Sequence, residues 1–112
     1  MSDNDHHHHD HSHDTHPHQL QPPHEVFHDP KAGEVARAWI VNGGLSLSLH
    51  AMAFGKAETW GHVLAGMAQQ VAGACAEMGQ GTAAANLEDI RKVLFADLGK
   101  AAAAMSPLAK KG

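Results

Sequence analysis

Apolar and polar residues alternate along two neighbouring stretches, 36–41 and 45–49, with the period of two that is typical of a β-strand with one buried face. Between them, Asn42-Gly43-Gly44 supplies residues that tolerate the positive φ of a tight hairpin turn, whether its centre is Asn42-Gly43 or Gly43-Gly44. Either centre places the same apolar side chains on one face, namely Ala36, Ala38, Ile40, Leu45, Leu47 and Leu49. The pattern therefore predicts an antiparallel β-hairpin.

After the hairpin, the period of the apolar residues changes to that of an α-helix. Helical spacing extends over residues 58–78, and Gly79 and Gly81 favour the end of that helix. A second helix is predicted to begin with Asn86 as its N-cap and to stop before Pro107, while the alanine-rich residues before Asn86 fit either helix or turn. The predicted buried stripes are Trp60, Val63, Leu64, Met67, Val71, Ala74, Cys75 and Met78, followed by Leu87, Ile90, Leu94, Leu98, Ala101 and Met105.

These elements predict a small domain of the α/β (α+β) class over residues 31–106, with the order β-β-α-α and two helices covering the leucine face of the hairpin. A disordered tail, residues 1–30, precedes the domain, and a short tail, residues 107–112, follows it. A core of this size rarely supplies more than ~3–5 kcal/mol of stability. Self-association is one ordinary way to strengthen such a domain.

The N-terminal tail differs from the rest of the chain in composition. Residues 1–30 contain ten of the twelve histidines and six carboxylates but no lysine or arginine, which gives a charge of −6 when the imidazoles are neutral. Residues 31–112 carry eight basic and six acidic side chains. The tail has no hydrophobic period, so it cannot bury enough apolar surface to offset the entropy lost on ordering.

Histidines are dense within the first 18 residues, and imidazole nitrogen is a ligand suited to Zn²⁺, Ni²⁺ and Cu²⁺. The interleaved aspartates can ligate a metal or orient the imidazoles. The sequence therefore predicts that the tail binds transition metal ions such as Zn²⁺ or Ni²⁺, for buffering, storage or hand-over. The candidate ligands are His6, His7, His8, His9, His11, His13, His16 and His18. The competing interpretation is a low-complexity tail without a selected role.

His24 and His28 are spaced four apart, which would place both on one face of a helix. A proline precedes His24, and Pro30 disfavours helical backbone in the residue before it, so at most one helical turn can form there. We therefore expect a linker in which Val26-Phe27 packs on the edge of the domain, without a preformed two-histidine site.

Trp39 shares the second face of the hairpin, opposite the leucines, with Arg37 and Val41. An exposed tryptophan beside a β-branched residue is typical of an interface anchor. These three residues are therefore a candidate interface. The alternative function is a homodimeric scaffold or partner-binding module in which the tail is incidental. It is equally consistent with the sequence that an intrachain segment, Val26-Phe27 or the 52–54 loop, covers the indole.

The sequence predicts no catalytic residues. Cys75 and His62 are 13 residues apart on one predicted helix, and at about 100° per residue they face nearly opposite directions. Cys75 belongs to the apolar stripe, which predicts a buried structural thiol. His50 and His62 are expected to be unrelated surface histidines. The glycines of the hairpin turn are not followed directly by a helix, as a phosphate-binding loop requires. We therefore expect that the chain is not an enzyme.

Charge and hydropathy limit the expected partners. The chain is not basic enough to indicate nucleic-acid binding. No stretch approaches the roughly 18 apolar residues of a membrane-spanning helix, and the N-terminus lacks the basic and apolar regions of a secretory signal. A single cysteine permits no internal disulfide. We expect a cytoplasmic protein with neither nucleic acid nor membrane as a partner.

A series of short motifs resembles those of a group of short alphaproteobacterial proteins known as a domain of unknown function. The motifs are Trp39-Ile40, Gly43-Gly44-Leu45-Ser46-Leu47-Ser48-Leu49, Trp60-Gly61, Leu64-Ala65, Ile90-Arg91 and Phe95. The resemblance covers roughly residues 24–100 and implies one compact α+β domain in a cytoplasmic protein. It implies no activity, cofactor or catalytic residue. The histidine-rich tail and Gly55-Lys56-Ala57 before the first helix depart from the pattern of the group.

Overall fold

A computed structural model of the chain describes residues 16–106. Two strands and two helices follow one another along the sequence, and a five-residue 3-10 helix precedes them. The elements are the 3-10 helix His24–His28, β1 Ala36–Val41, β2 Gly44–Leu49, α1 Ala57–Glu77 and α2 Ala83–Met105. This order confirms the predicted β-β-α-α fold. The predicted disorder of residues 1–15 and the C-terminal tail 107–112 lie outside the described residues.

The antiparallel pairing of β1 and β2 has the predicted parity. Ile40 is paired with Leu45, and Ala38 with Leu47, so the apolar residues of both strands share one face. Asn42 and Gly43 form the turn with φ values of 52° and 79°, the two consecutive positive values of a type I′ hairpin turn. Of the two centres that the sequence left open, the structure therefore has Asn42-Gly43.

The apolar face of the hairpin is not buried, in contrast to the expectation from its alternation. Ile40, Leu45, Leu47 and Leu49 are 51–74% exposed in the single chain. Alternation of apolar and polar residues identifies which side chains share a face, but it contains no information on what covers that face. The residues that the pattern assigned to the core are therefore surface residues of this chain.

The two helices pack against each other and are joined by a tight turn. Gly79 and Gly81 both have positive φ, as expected for residues that end α1. The N-cap of α2 is Thr82, whose Oγ1 accepts a hydrogen bond from the backbone N–H of Ala85 at 3.1 Å. The prediction of Asn86 as the N-cap was therefore wrong, because the helix begins three residues earlier and encloses Asn86 in its first turn.

Asn86 has a different structural role in the helical pair. Its side-chain amide donates hydrogen bonds to the backbone carbonyl of Ala72 at 3.2 Å and to that of Gln80 at 2.7 Å. One donor group from α2 thus holds a carbonyl of α1 and a carbonyl of the connecting turn. The short polar side chain that suggested a cap instead fixes the geometry of the turn.

Burial in the helical pair is concentrated at the contact between the helices. Among residues 16–106, only Ala72 is classed as fully buried, with 1% exposure. Trp60, Val63 and Cys75 of the predicted stripe are partly buried, whereas Met78 at its end is exposed. Two helices shield little more than the seam between them. The predicted stripe of α1 contained Trp60, Val63 and Cys75 but not Ala72, so it overlaps the observed contact face only in part. Cys75 is accordingly a partly buried free thiol rather than a fully buried one.

The described chain divides into two compact units, with the boundary between His50 and Ala51. The first contains the hairpin and the segment that precedes it, and the second contains the helical pair. Neither α1 nor α2, the two α-helices within residues 16–106, is long and apolar enough to cross a membrane.

Candidate metal-binding histidines and the tryptophan face of the hairpin

The segment before the hairpin follows a defined course, although residues 1–30 were expected to be a disordered tail. Residues 18–23 and parts of the 34–40 stretch line a shared open groove of about 480 Å³. The backbone N–H of Gln19 donates to the carbonyl of His16 at 3.0 Å, which forms a turn at the start of this segment. The described structure therefore begins well before the predicted domain boundary at residue 31.

Trp39 is partly buried and is in contact with His16, whose ring lies edge-on to the indole with the ring centroids 5.0 Å apart. The ring that contacts the indole belongs to the histidine-rich segment, not to Val26-Phe27 or the 52–54 loop, the two segments expected as intrachain cover. An aromatic edge contact of this kind stabilises by about 0.5–1.5 kcal/mol beyond the buried area.

The two other residues of the candidate interface have different surroundings. Arg37 is partly buried and donates to both carboxylate oxygens of Glu34, each at 3.0 Å, so its charge is already paired. Val41, beside the turn, is 52% exposed. The assignment of Trp39, Arg37 and Val41 to an interface remains a prediction.

Of the eight candidate metal ligands, only His16 and His18 belong to the described residues. The other six, His6, His7, His8, His9, His11 and His13, lie outside them. The Nδ1 atom of His16 accepts a hydrogen bond from the backbone N–H of His18 at 3.1 Å. A neutral imidazole whose Nδ1 accepts must carry its hydrogen on Nε2, so His16 must change tautomer and lose this bond before Nε2 can ligate a metal.

His24 and His28 meet at the two ends of the 3-10 helix. Their Nε2 atoms are 3.1 Å apart, and the ring centroids are separated by 4.8 Å with the planes inclined at 67°. The expectation of a linker without a preformed histidine pair was therefore wrong. The flanking prolines do limit the helix to one turn, but a single turn is sufficient to bring two side chains four apart into contact.

One sequence signal for this pair was missed. The residues from His24 to His28 read His-Glu-Val-Phe-His, which is the order H-E-x-x-H in which two histidines bind Zn²⁺ from one helical face. Within residues 16–106, however, no group of three His, Cys, Asp or Glu side chains could hold a metal ion together. A catalytic zinc centre uses three protein ligands, which is one more than the two imidazoles of this pair.

The loop after the hairpin is anchored on the first helix. The indole Nε1 of Trp60 donates to the carbonyl of Ala51 at 3.2 Å, and Phe54 lies edge-on to the same indole at 5.2 Å between centroids. Phe54 is thus an apolar anchor of this loop, while Met52 is 81% exposed. The N-cap of α1 is Lys56, which makes no capping side-chain hydrogen bond. The indole contacts therefore help to fix this weakly capped end.

The helical pair carries the clearest electrostatic contact of the described chain. Arg91 Nε donates to Glu88 Oε1 at 3.0 Å, and Nη2 donates to Oε2. This hydrogen bond, together with the charge of Arg91, holds the pKa of Glu88 below its ordinary value despite an opposing effect of desolvation. The same contact raises the pKa of Arg91. Both groups are exposed to solvent, so the contact is a surface ion pair rather than a reactive centre.

Three comparisons relate the chain to known proteins. No curated protein matches its sequence. A solved structure from the photosynthetic bacterium Rhodopseudomonas palustrus CGA009, provisionally described as a pyruvate dehydrogenase, is 34% identical and has a TM-score of 0.60. The match covers 75% of this chain and 86% of that one. A family model, the domain of unknown function DUF5076, matches residues 19–104. The chain therefore belongs to the DUF5076 family.

Proposed function

We propose that this chain is a small non-enzymatic binding protein whose histidine-rich N-terminal segment takes up transition metal ions. Zn²⁺ and Ni²⁺ are the ions that its donors suit best, and the proposed role is buffering, storage or hand-over in the cytoplasm. The observation that carries the proposal is the density of imidazole, with ten histidines in the first 30 residues. The family match begins at residue 19, so the densest part of this segment precedes the matched domain.

The accessibility of the described imidazoles supports this function. His16, His18, His24 and His28 are all exposed to solvent, so a hydrated ion can reach them without opening a core. The surrounding charge also favours a cation, since residues 1–30 carry six carboxylates and no lysine or arginine. Any chain segment that wraps an ion loses conformational entropy. Exchangeable uptake is therefore better supported than a permanent structural metal.

The pH dependence of metal uptake follows from imidazole chemistry. Only neutral imidazole ligates, and a free imidazole titrates at about pH 6.5. Acidification should thus convert the ligands to cations and expel the metal. Since ten histidines and six carboxylates occupy residues 1–30, full protonation of the imidazoles alone would change the charge of this segment from −6 to +4.

The test is calorimetric titration of the full chain with Zn²⁺ and Ni²⁺ at pH 7.5 and at pH 5.5. The matched variant replaces the eight histidines from His6 to His18 with asparagine and leaves the rest of the chain unchanged. We expect strong uptake by the wild type at pH 7.5, little uptake at pH 5.5, and a loss of most binding capacity in the variant. Equal capacity of the two proteins at pH 7.5 would contradict the proposal.

A second candidate function, a homodimeric scaffold, is favoured by the exposed apolar face of the hairpin. Four large apolar side chains, Ile40, Leu45, Leu47 and Leu49, lie together on this face and are more than half exposed. A two-stranded hairpin is at best marginally stable alone in water. A second copy of the chain would bury this face with the same residues on both sides, as a two-fold symmetric interface requires.

Sedimentation equilibrium distinguishes the two faces of the hairpin as interfaces. If the tryptophan face forms the contact, Trp39→Ala should weaken the dimer by about 2 kcal/mol or more. If the leucine face forms it, Leu47→Ser should have that effect, and Trp39→Ala should not. Sedimentation of the wild type as a monomer at high concentration would exclude both versions of the scaffold.

The description of the solved neighbour as a pyruvate dehydrogenase is not part of this proposal. Oxidation of a 2-oxo acid depends on bound cofactors that supply the difficult chemistry. The described features of this chain that could engage a ligand include two open grooves and a pair of histidines. Turnover of pyruvate by the purified full chain, supplied with cofactors, would overturn the non-enzymatic assignment.

A further inference from the structure

We propose that His24 and His28 form a two-nitrogen chelate that takes up the first transition metal ion bound by the chain. This inference rests on the proposed function, because it takes metal uptake as given and assigns the first ion to a specific pair of histidines. Neither histidine of the pair is among the eight upstream candidates of the proposed function. Both belong to the part of the chain that matches the family.

The distance between the two nitrogens fits one shared ion. The Nε2 atoms are 3.1 Å apart. With metal–nitrogen bonds of about 2.0–2.1 Å, this separation of 3.1 Å corresponds to a nitrogen–metal–nitrogen angle of about 95–102°. That angle lies between the values for square-planar and tetrahedral coordination. The present spacing of the two donor atoms therefore already matches that of two ligands on one ion.

The contact that now joins the rings is a hydrogen bond, which requires one Nε2 to carry a hydrogen and the other to accept it. To admit a metal ion, the donating ring would change tautomer, losing its proton from Nε2 to solvent and taking one up from solvent on Nδ1. Both rings would then be Nδ1–H tautomers with an Nε2 lone pair free to ligate. The ion would lie about 1.3–1.4 Å from the line joining the two nitrogens, given the metal–nitrogen bond length. The rings reach this arrangement by turning about χ2, a torsion with a broad energy well.

The backbone of this turn is held in place before any ion arrives. The N–H of Val26 donates to the carbonyl of Pro23 at 3.1 Å, and the N–H of Asp29 donates to the carbonyl of Val26. The Asp29 carboxylate then accepts from the N–H of Lys31 at 2.9 Å. Ordering the ligands costs less free energy where the backbone is already fixed, which is the advantage of preorganisation. The pair should therefore outcompete two imidazoles whose backbone must be ordered when the ion binds.

Two protein ligands leave positions for water or for histidines from upstream. Within the described residues no third ligand joins the pair, and both imidazoles are exposed. The five-residue turn, with Glu25 between the two ligands, resembles the H-E-x-x-H order of metalloproteases. Such enzymes complete the zinc site with a third protein ligand. The described geometry thus supports an exchangeable binding site and not a hydrolytic centre.

The test follows the imidazole nitrogens directly. The ¹⁵N-labelled full chain is titrated with Zn²⁺ at pH 7.5, and the side-chain nitrogen resonances of the histidines are recorded by NMR. We expect Nε2 of His24 and His28 to shift within the first equivalent. His24→Ala and His28→Ala should each raise the apparent Kd of the first ion by about tenfold, since each destroys the chelate. The matched controls are His50→Ala and His62→Ala, which remove exposed histidines elsewhere.

The double variant is informative because a chelate fails when either ligand is lost. His24→Ala/His28→Ala should therefore be little worse than either single variant. The inference is overturned if the single variants bind the first ion as tightly as His62→Ala. It is also overturned if the two Nε2 resonances move only after those of the other histidines. Circular dichroism of each variant checks that the fold is intact, which we expect since both side chains are exposed.

The chelate and the proposed function can fail separately. In the variant with the eight upstream histidines replaced by asparagine, continued shifts of the His24 and His28 nitrogens would support the pair. If that variant also kept its full metal-binding capacity, the assignment of uptake to the upstream segment would be contradicted, while the assignment to the pair would still be supported. Conversely, wild-type affinity in His24→Ala/His28→Ala with no binding in the eight-residue variant would overturn the pair and support the upstream segment.

Discussion

The two tight turns of this chain, one in the hairpin and one between the helices, are built on different principles. Asn42 and Gly43 make the hairpin turn through backbone conformation alone, with φ values of 52° and 79°. The interhelical turn also contains glycines with positive φ, but Asn86 additionally binds the carbonyls of Ala72 and Gln80 through its side chain. One turn is thus specified by residues within it, and the other by a residue that follows it.

This difference predicts what each turn is sensitive to. The hairpin turn should tolerate any change of side chain that permits positive φ and should fail with residues that do not. The interhelical turn should respond to the loss of a single hydrogen-bond donor outside it. Substitutions at Gly43 and Asn86 separate these two kinds of control, and a third, at Arg91, tests a contact that fixes neither turn. They follow in order of decreasing expected effect.

The largest effect is expected for Gly43→Val. A β-branched residue at a φ of 79° is strained, and the cost should be about 2 kcal/mol or more, toward the upper part of the range for a residue held in an unfavourable backbone region. Hydrogen exchange of the paired β1 amides reports the loss locally. The matched control is Gly44→Val, because Gly44 has no positive φ and its added Cβ would meet only the carbonyl of Val41 at 3.7 Å. Equal exchange in the two variants would contradict the turn assignment.

A smaller loss is expected for Asn86→Ala. This variant removes the donors to the carbonyls of Ala72 and Gln80, at a cost of about 1–2 kcal/mol for the hydrogen bonds lost. Denaturant unfolding followed by circular dichroism measures the change. Asn86→Asp keeps the size of the side chain but removes both N–H donors, so it should lose at least as much stability. Wild-type stability of the aspartate variant would show that these donors do not control the turn.

The smallest effect is expected at Glu88 and Arg91, a side-chain contact that fixes neither turn. Because Arg91 lowers the pKa of Glu88, the contact stabilises the fold above the ordinary carboxyl pKa. That contribution is lost as the pH falls through the lowered value. In Arg91→Ala, the titration midpoint of the Glu88 carboxyl carbon, followed by NMR, should rise towards its ordinary value. Global stability should change less than in Asn86→Ala, since exposed pairs are screened by solvent. An unchanged midpoint would mean that the ion pair does not form in solution.

The same contrast explains which parts of the fold were accessible from sequence. The two faces of the hairpin follow from local chemistry, since alternation in both strands and either turn centre within 42–44 place the same residues together. The register itself was left open between two centres, and the structure pairs Ile40 with Leu45. The N-terminus of α2 could not be assigned in this way. Asn86 suits an N-cap and also suits a tertiary hydrogen bond, and only the position of the α1 carbonyls decides between them. Thr82, which is the N-cap of α2, follows Gly81 and precedes alanines that fit either helix or turn.

Burial was the least predictable property. The periodicity identified the strands and the helices, yet Ile40 and Leu47 are more than half exposed, and the buried Ala72 was not in the predicted stripe. Periodicity describes orientation around an axis, whereas burial depends on which surfaces meet. The histidine pair is the opposite case, because here the structure has a side-chain contact that the sequence argument did not expect. His24 and His28 were discounted because prolines restrict the backbone, although one turn is enough for contact.

The connections between paired elements also bear on how the chain folds. β1 pairs with β2 across a two-residue turn, and α1 packs on α2 after residues 78–82. Closing loops this short costs little chain entropy, and pairings between elements adjacent in sequence give a low contact order. Folding should therefore be fast, with each pair able to nucleate before the other is complete.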